Sequence, residues 1–189
     1  MAKLNGADYL LLLLYLNNKK PIYGAIRLEK MMFLFKEEIM PMMKKPGTDS
    51  AILPEFIAYN FGPFSKDVYE QIELFKGIRF VQVTDLKSTE EFDEADDWEE
   101  LPYDNEFSSK GYARRTDGCY YKYSLLKLGS DYVEAEIIPN VTRNDIEILE
   151  KFKERITALY PKQLLKYVYT KYPEYTTESL IKDEVLDDD

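Results

Sequence analysis

The sequence predicts a mainly α-helical domain with one small β-hairpin, winged-helix-like and extended by further helices at its C-terminal end. Three observations carry this. Apolar residues recur at three- and four-residue spacing along most of the 189-residue chain. Only two stretches, residues 78–84 and 120–126, alternate and carry the β-branched or aromatic residues of strands. The order is helix, helix, short extended piece, helix, strand, long insertion, strand, helices, which is a helix–turn–helix followed by a wing.

The elements follow in order. Asn5 is placed to cap a first helix running to about residue 17, with Asp8 three positions on completing a capping box. Apolar residues run almost all round this helix, so it belongs at the centre of the core. Residues 19–24 form a turn with Pro21 and Gly24. A second helix covers about 25–40 with a stripe of Leu28, Met31, Met32, Phe35 and Ile39, ended by Pro41, Pro46 and Gly47. Residues 55–65 are extended and then turn at Gly62-Pro63. Ser65 is a candidate N-cap for a third helix over 66–76 that buries Val68, Ile72 and Phe75, and Gly77 takes the C′ position. After the strand pair, Gly129 opens a short helix to about 138. Thr142, with Asp145 at N3, caps a helix striped by Ile146, Leu149, Phe152, Ile156 and Leu159. Pro161 starts another with Leu164, Leu165, Val168, Tyr169 and Tyr172 apolar, and Thr176 caps a last short one.

Length suits a single domain over residues 1–189, with one full core. The formal net charge of −10 is unevenly placed. Residues 85–107 contain eleven acids and only Lys87 as a base, so they account for all of it. The last eight residues hold five acids and one lysine, which leaves the rest of the chain mildly basic, at +4. We therefore read 85–119 as an acidic insertion in the wing hairpin and 183–189 as an acidic tail that frays. The longest apolar run, residues 9–16, is too short to span a bilayer. It is followed by Asn17-Asn18-Lys19-Lys20 and not by small cleavage-site residues, which favours a buried helix over a signal peptide. A single cysteine, Cys119, fits the reducing cytoplasm.

Signals for catalysis are thin. The chain has no histidine, the commonest general base and metal ligand. One cysteine cannot build a thiolate–imidazole zinc site, and the eight glycines form no phosphate-binding loop. No catalytic, cofactor-binding or metal-ligating residue is expected. The acidic run could hold a divalent ion through oxygen ligands, but it lacks an ordered calcium-loop pattern and reads as solvated charge. The tyrosines at 120, 121, 123, 167, 169, 172 and 175 invite comparison with a base-stacking platform, but their helical or strand spacing is that of a core.

Binding remains. The third helix presents Lys66, Asp67, Glu70, Gln71, Glu73 and Lys76, a net −1 that repels phosphates. Glu70 and Glu73, with Asp96, Asp97, Trp98 and Glu99 of the insertion, suit a basic protein partner. The alternative is duplex DNA, met by Lys19, Lys20 and Arg27 near the first turn and by Lys110, Arg114 and Arg115 after the acidic run. Winged domains often pair through terminal helices, so a homodimer through the segment after residue 142 is a further expectation.

Two stretches also resemble a known family. Arg27-Leu28-Glu29-Lys30-Met31-Met32-Phe33-Leu34, followed by Phe56-Ile57-Ala58-Tyr59-Asn60-Phe61-Gly62-Pro63-Phe64-Ser65-Lys66-Asp67-Val68-Tyr69, resembles the SocA-like Panacea domain of antitoxins and its prophage-associated relatives. That resemblance implies a prokaryotic helical antitoxin that neutralises a toxin by direct contact.

Overall fold

The computed structural model describes residues 4–43, 53–86 and 121–186. Helix α1 (Gly6–Lys19) starts as its spacing predicts. Asn5 Oδ1 accepts the amides of Ala7 and Asp8 at 2.8 and 3.1 Å, and the Asp8 carboxylate accepts the Asn5 amide at 2.9 Å. Leu10 to Leu14 and Leu16 are buried, so the helix runs through the core and not across its surface. Regular geometry stops at Leu16, and Asn17, Asn18 and Lys19 take left-handed φ values of 53°, 55° and 59°.

The turn that follows contains a two-residue strand, β1 (Ile22–Tyr23), too short to leave an alternation in the sequence. Helix α2 (Ala25–Leu34) continues through a π turn (Phe35–Ile39) and a last helical turn (Met40–Met43). All ten residues of Ala25–Leu34 are buried, not just one stripe, because α2 is enclosed by neighbouring elements on every side.

The extended segment is a hairpin of β2 (Ile57–Tyr59) and β3 (Gly62–Phe64), with Ile57 opposite Phe64 and Tyr59 opposite Gly62. It lies inside the helix–turn–helix, between α2 and α3 (Lys66–Gly77). Ser65 does occupy the N-cap position of α3, but its hydroxyl is buried and makes no capping bond. Gly77 stays helical; the left-handed residue after α3 is Arg79, at φ 60°.

Strands β4 (Val81–Asp85) and β5 (Tyr121–Leu125) pair antiparallel from Val81 opposite Leu125 to Asp85 opposite Tyr121, and β1 joins the other edge of β5. The resulting order, β1-β5-β4, places the strand after the first helix beside the wing hairpin. With the helix order, this makes a mainly α, winged-helix-like fold with a small antiparallel sheet and further helices behind it.

Helix α4 (Lys127–Tyr132) begins two residues before Gly129 and runs on through a π turn (Val133–Ile137) and a 3-10 turn (Ile138–Asn140). Gly129 is a packing residue, not a helix start: a Cβ there would stand 2.5 Å from the Phe80 carbonyl oxygen. Helix α5 (Arg143–Ala158) is capped as predicted, with Thr142 Oγ1 accepting the Asp145 amide at 3.1 Å. Helix α6 (Pro161–Lys171), a 3-10 turn (Pro173–Thr176) and α7 (Lys182–Leu186) complete the described chain. Thr176 closes the 3-10 turn by donating to the Pro173 carbonyl at 2.7 Å and does not cap a helix.

The aromatic residues carry much of the core. Phe33 of α2 meets the rings of Phe56, Tyr172 and Tyr175 edge-on at 4.9–5.3 Å. Of the tyrosines singled out above, Tyr123 and Tyr169 are buried, Tyr121, Tyr172 and Tyr175 are half-buried and Tyr167 is exposed, while Tyr120 lies outside the described residues. Among the described residues, no helix is long and apolar enough to cross a membrane.

Candidate docking surface

A helix over a hairpin needs something to fix its angle, and here that is a buried polar cluster. Glu29 and Lys30 sit in the middle of α2, where every neighbour is buried. Lys30 Nζ donates to the Pro63 carbonyl at 2.7 Å and to Glu29 Oε2 at 3.4 Å. Glu29 Oε1 accepts the Ser65 amide at 2.9 Å, and its Oε2 accepts the Tyr69 hydroxyl at 3.4 Å. The carboxylate takes the place of a capping side chain: it satisfies an amide at the start of α3 and meets the positive end of its dipole. Burial pushes the Glu29 carboxyl up and the Lys30 amine down, and each opposes the other's shift through its charge.

The two stretches that carry the family resemblance therefore meet in space. Leu28-Glu29-Lys30 supplies the charges, and Gly62-Pro63-Phe64-Ser65 supplies the carbonyl and amide they bind. Gly62 is at φ 81°, and its would-be Cβ lies 2.6 Å from Tyr169 Cε1, so this turn is pressed against α6 as well. Neither role was evident from spacing. The available signal was a pair of adjacent opposite charges, Glu29 and Lys30, between the apolar residues Leu28 and Met31 of one helix.

This cluster fixes the start of α3 and so sets which face of that helix is exposed. Glu70 and Glu73 are exposed there. Lys66 Nζ stands 2.6 Å from Glu70 Oε1 and Lys76 Nζ 3.5 Å from Glu73 Oε2, so both lysines of the helix are engaged by acids on the same helix. Leu74 is 58% exposed beside them. The face is mixed acidic and apolar.

The other expected residues are dispersed. Lys19 and Lys20 are exposed at the end of α1, with Lys19 Nζ 3.9 Å from Glu134 and over the Tyr15 ring. Arg27 was expected on the surface, but it is 6% exposed, and its guanidinium donates to the carbonyls of Tyr23 and Leu159 at 3.0 and 2.8 Å. In this arrangement it ties α2 to the end of α5. Asp96, Asp97, Trp98, Glu99, Lys110, Arg114, Arg115 and Cys119 lie outside the described residues, as does most of the acidic insertion.

A second polar cluster lies at the π turn of α2. Glu38 Oε1 accepts from Tyr167 at 2.6 Å, Lys171 at 3.0 Å and Tyr172 at 3.2 Å, and Oε2 lies 3.5 Å from Arg155. Burial alone would raise this carboxyl, but the bonds from Tyr167, Lys171 and Tyr172 outweigh it and hold it below its ordinary value. The π turn's extra residue aims Glu38 at α6, so this cluster reads as a tie between helices.

In comparisons with known proteins, no family model, no curated protein and no solved structure matches this chain.

Proposed function

We propose that this protein acts by binding and not by catalysis, as an antitoxin-like or regulatory module that holds a basic protein partner in the cytoplasm. The observation that supports it most is the exposed face of α3. The helix in the reading position of the fold offers Glu70, Glu73 and Leu74, and its two lysines are already matched by acids. Such a face is poorly suited to phosphates and well suited to a basic protein with an apolar centre. The acidic insertion adds charge of the same sign. A toxin that acts on nucleic acid has the basic surface such a partner needs. The resemblance to Panacea-domain antitoxins points the same way.

The test is co-expression with the product of the neighbouring gene, reading growth rescue and co-purification. The intact chain is expected to rescue growth and to retain the partner. The Glu70→Lys, Glu73→Lys variant and a chain lacking residues 87–107 are each expected to lose both. Equal recovery with all three would overturn the reading.

A second reading, a DNA-binding regulator, is favoured by the β1-β5-β4 strand order and by the exposed Lys19 and Lys20. It requires a salt-dependent shift of duplex DNA that is lost on Arg114→Ala, Arg115→Ala.

A further inference from the structure

Strand β4 is an open edge of the three-stranded sheet. It pairs with β5 on one side, and among the described residues no strand lies on its other side. The ladder tells which of its main-chain groups face outward. The Leu126 amide donates to the Phe80 carbonyl at 2.8 Å. Bonds alternate along an antiparallel pair, so Gln82 and Thr84 are bonded to Ser124 and Lys122, and Val81, Val83 and Asp85 turn their amides and carbonyls away from β5. The far edge of β5 agrees, since the Tyr121 carbonyl accepts the Gly24 amide at 2.8 Å and its odd-numbered residues serve β1.

An edge of this kind is normally blunted. A proline, a lysine, a bulge or an inward-pointing charge stops another strand from adding to it. β4 reads Val81-Gln82-Val83-Thr84-Asp85 and pairs with β5 in unbroken register. Its only charge is Asp85, at the far end. Val81, Val83 and Thr84 are β-branched, which suits an extended neighbour. Gln82 is exposed, and Val83 and Thr84 are half-buried.

The two ends of the strand say what fits it. Arg79, at φ 60°, is exposed just before β4, and no acid pairs with it among the described residues. Asp85 closes the strand with the opposite charge. Such a strand complements itself when two copies run antiparallel. Only odd-numbered residues offer outward main-chain groups. A two-fold axis through Gln82 therefore pairs Val81 of one copy with Val83 of the other, and at both ends it sets Arg79 of one copy toward Asp85 of the other. Gln82 meets its own counterpart in a non-hydrogen-bonded pair, where side chains stand closest. Main-chain groups alone also allow an axis at Val83, which opposes Asp85 to Val81; the charges favour the axis at Gln82. Ile78, 44% exposed beside Arg79, adds apolar area at each end.

We propose that β4 is a dimerisation edge: two copies of this chain join β4 to β4, antiparallel about Gln82, and merge their sheets into one. The contact stands whether or not α3 binds a basic partner.

The test is sedimentation equilibrium and amide hydrogen exchange on the full chain over a concentration series. A monomer–dimer equilibrium is expected. The Val81 and Val83 amides gain protection as concentration rises, while those of Gln82 and Thr84 are protected throughout by β5. Gln82→Lys sets two like charges face to face on the axis and is expected to weaken the dimer by up to about fivefold. Arg79→Asp and Asp85→Arg are each expected to weaken it, and the two together to restore it, because the swapped strand again complements itself. A chain that stays monomeric at every concentration overturns the proposal. So does protection of Val81 and Val83 that is independent of concentration, which would mean that the chain covers its own edge. A dimer indifferent to both Gln82→Lys and Arg79→Asp forms elsewhere and overturns it as well. The wild-type measurements decide even where a variant fails to fold.

Discussion

The Glu29 carboxylate accepts the backbone amide of Ser65, thirty-six residues away in sequence, at 2.9 Å, and so begins helix α3 in place of a capping side chain. The same carboxylate compensates Lys30, which is fully buried and holds the Pro63 carbonyl. Glu29→Ala removes the compensation from a buried charge and is expected to cost about 3–5 kcal/mol in urea denaturation. The Glu29→Met, Lys30→Met double change should cost clearly less than the sum of the two single changes, because it leaves neither charge alone. Additive losses would show that the pair is not coupled.

Gly62 meets two constraints at once, a φ of 81° and the Tyr169 ring 2.6 Å from where a Cβ would stand. Gly62→Ala is expected to destabilise by roughly 2–4 kcal/mol, combining the left-handed conformation with overpacking. Trimming the ring in a Gly62→Ala, Tyr169→Leu double variant relieves the clash but not the backbone term. A double-mutant cycle by thermal or chemical unfolding should therefore show favourable coupling of about 1 kcal/mol or more, and a coupling of zero would contradict the close approach.

Glu38 governs the acid side of the stability profile. Its folded-state carboxyl is held below its ordinary value of 4.5, so the unfolded chain takes up the proton first as pH falls. Its contribution is complete above 4.5 and is lost as pH drops through the lower folded value. Glu38→Gln is expected to cost about 1–2 kcal/mol at pH 7 and to flatten the fall in stability below pH 4.5. Melting curves at pH 3, 4, 5 and 7 check both, and an unchanged acid limb would mean that other carboxylates set it.

The charges of α3 should matter for binding and hardly for folding. Its ion pairs are exposed, so Glu70→Lys, Glu73→Lys is expected to change stability by under about 1 kcal/mol. The same variant should bind duplex DNA more tightly than the wild type, with a salt slope steeper by about 2, as two added cations displace counter-ions. Filter binding across a salt series measures this. An unchanged slope would place the DNA-accessible face of the fold elsewhere.

By itself, the sequence determined the helices, their capping by Asn5 and Thr142, the pairing of β4 with β5 and the apolar stripes that face the core. All of these rest on contacts between residues close together along the chain or on a repeating apolar pattern. Only the tertiary structure decided that β1 is a strand, that Arg27 and Lys153 are buried, and that Glu29 and Lys30 serve the Gly62-Pro63 turn. A charged side chain looks the same in a sequence whether water or a distant carbonyl solvates it. Carbonyls and amides exposed by a break in one helix or the start of another belong to no residue type. Their partners become visible only once the chain has brought Leu16 to Lys153 and Ser65 to Glu29.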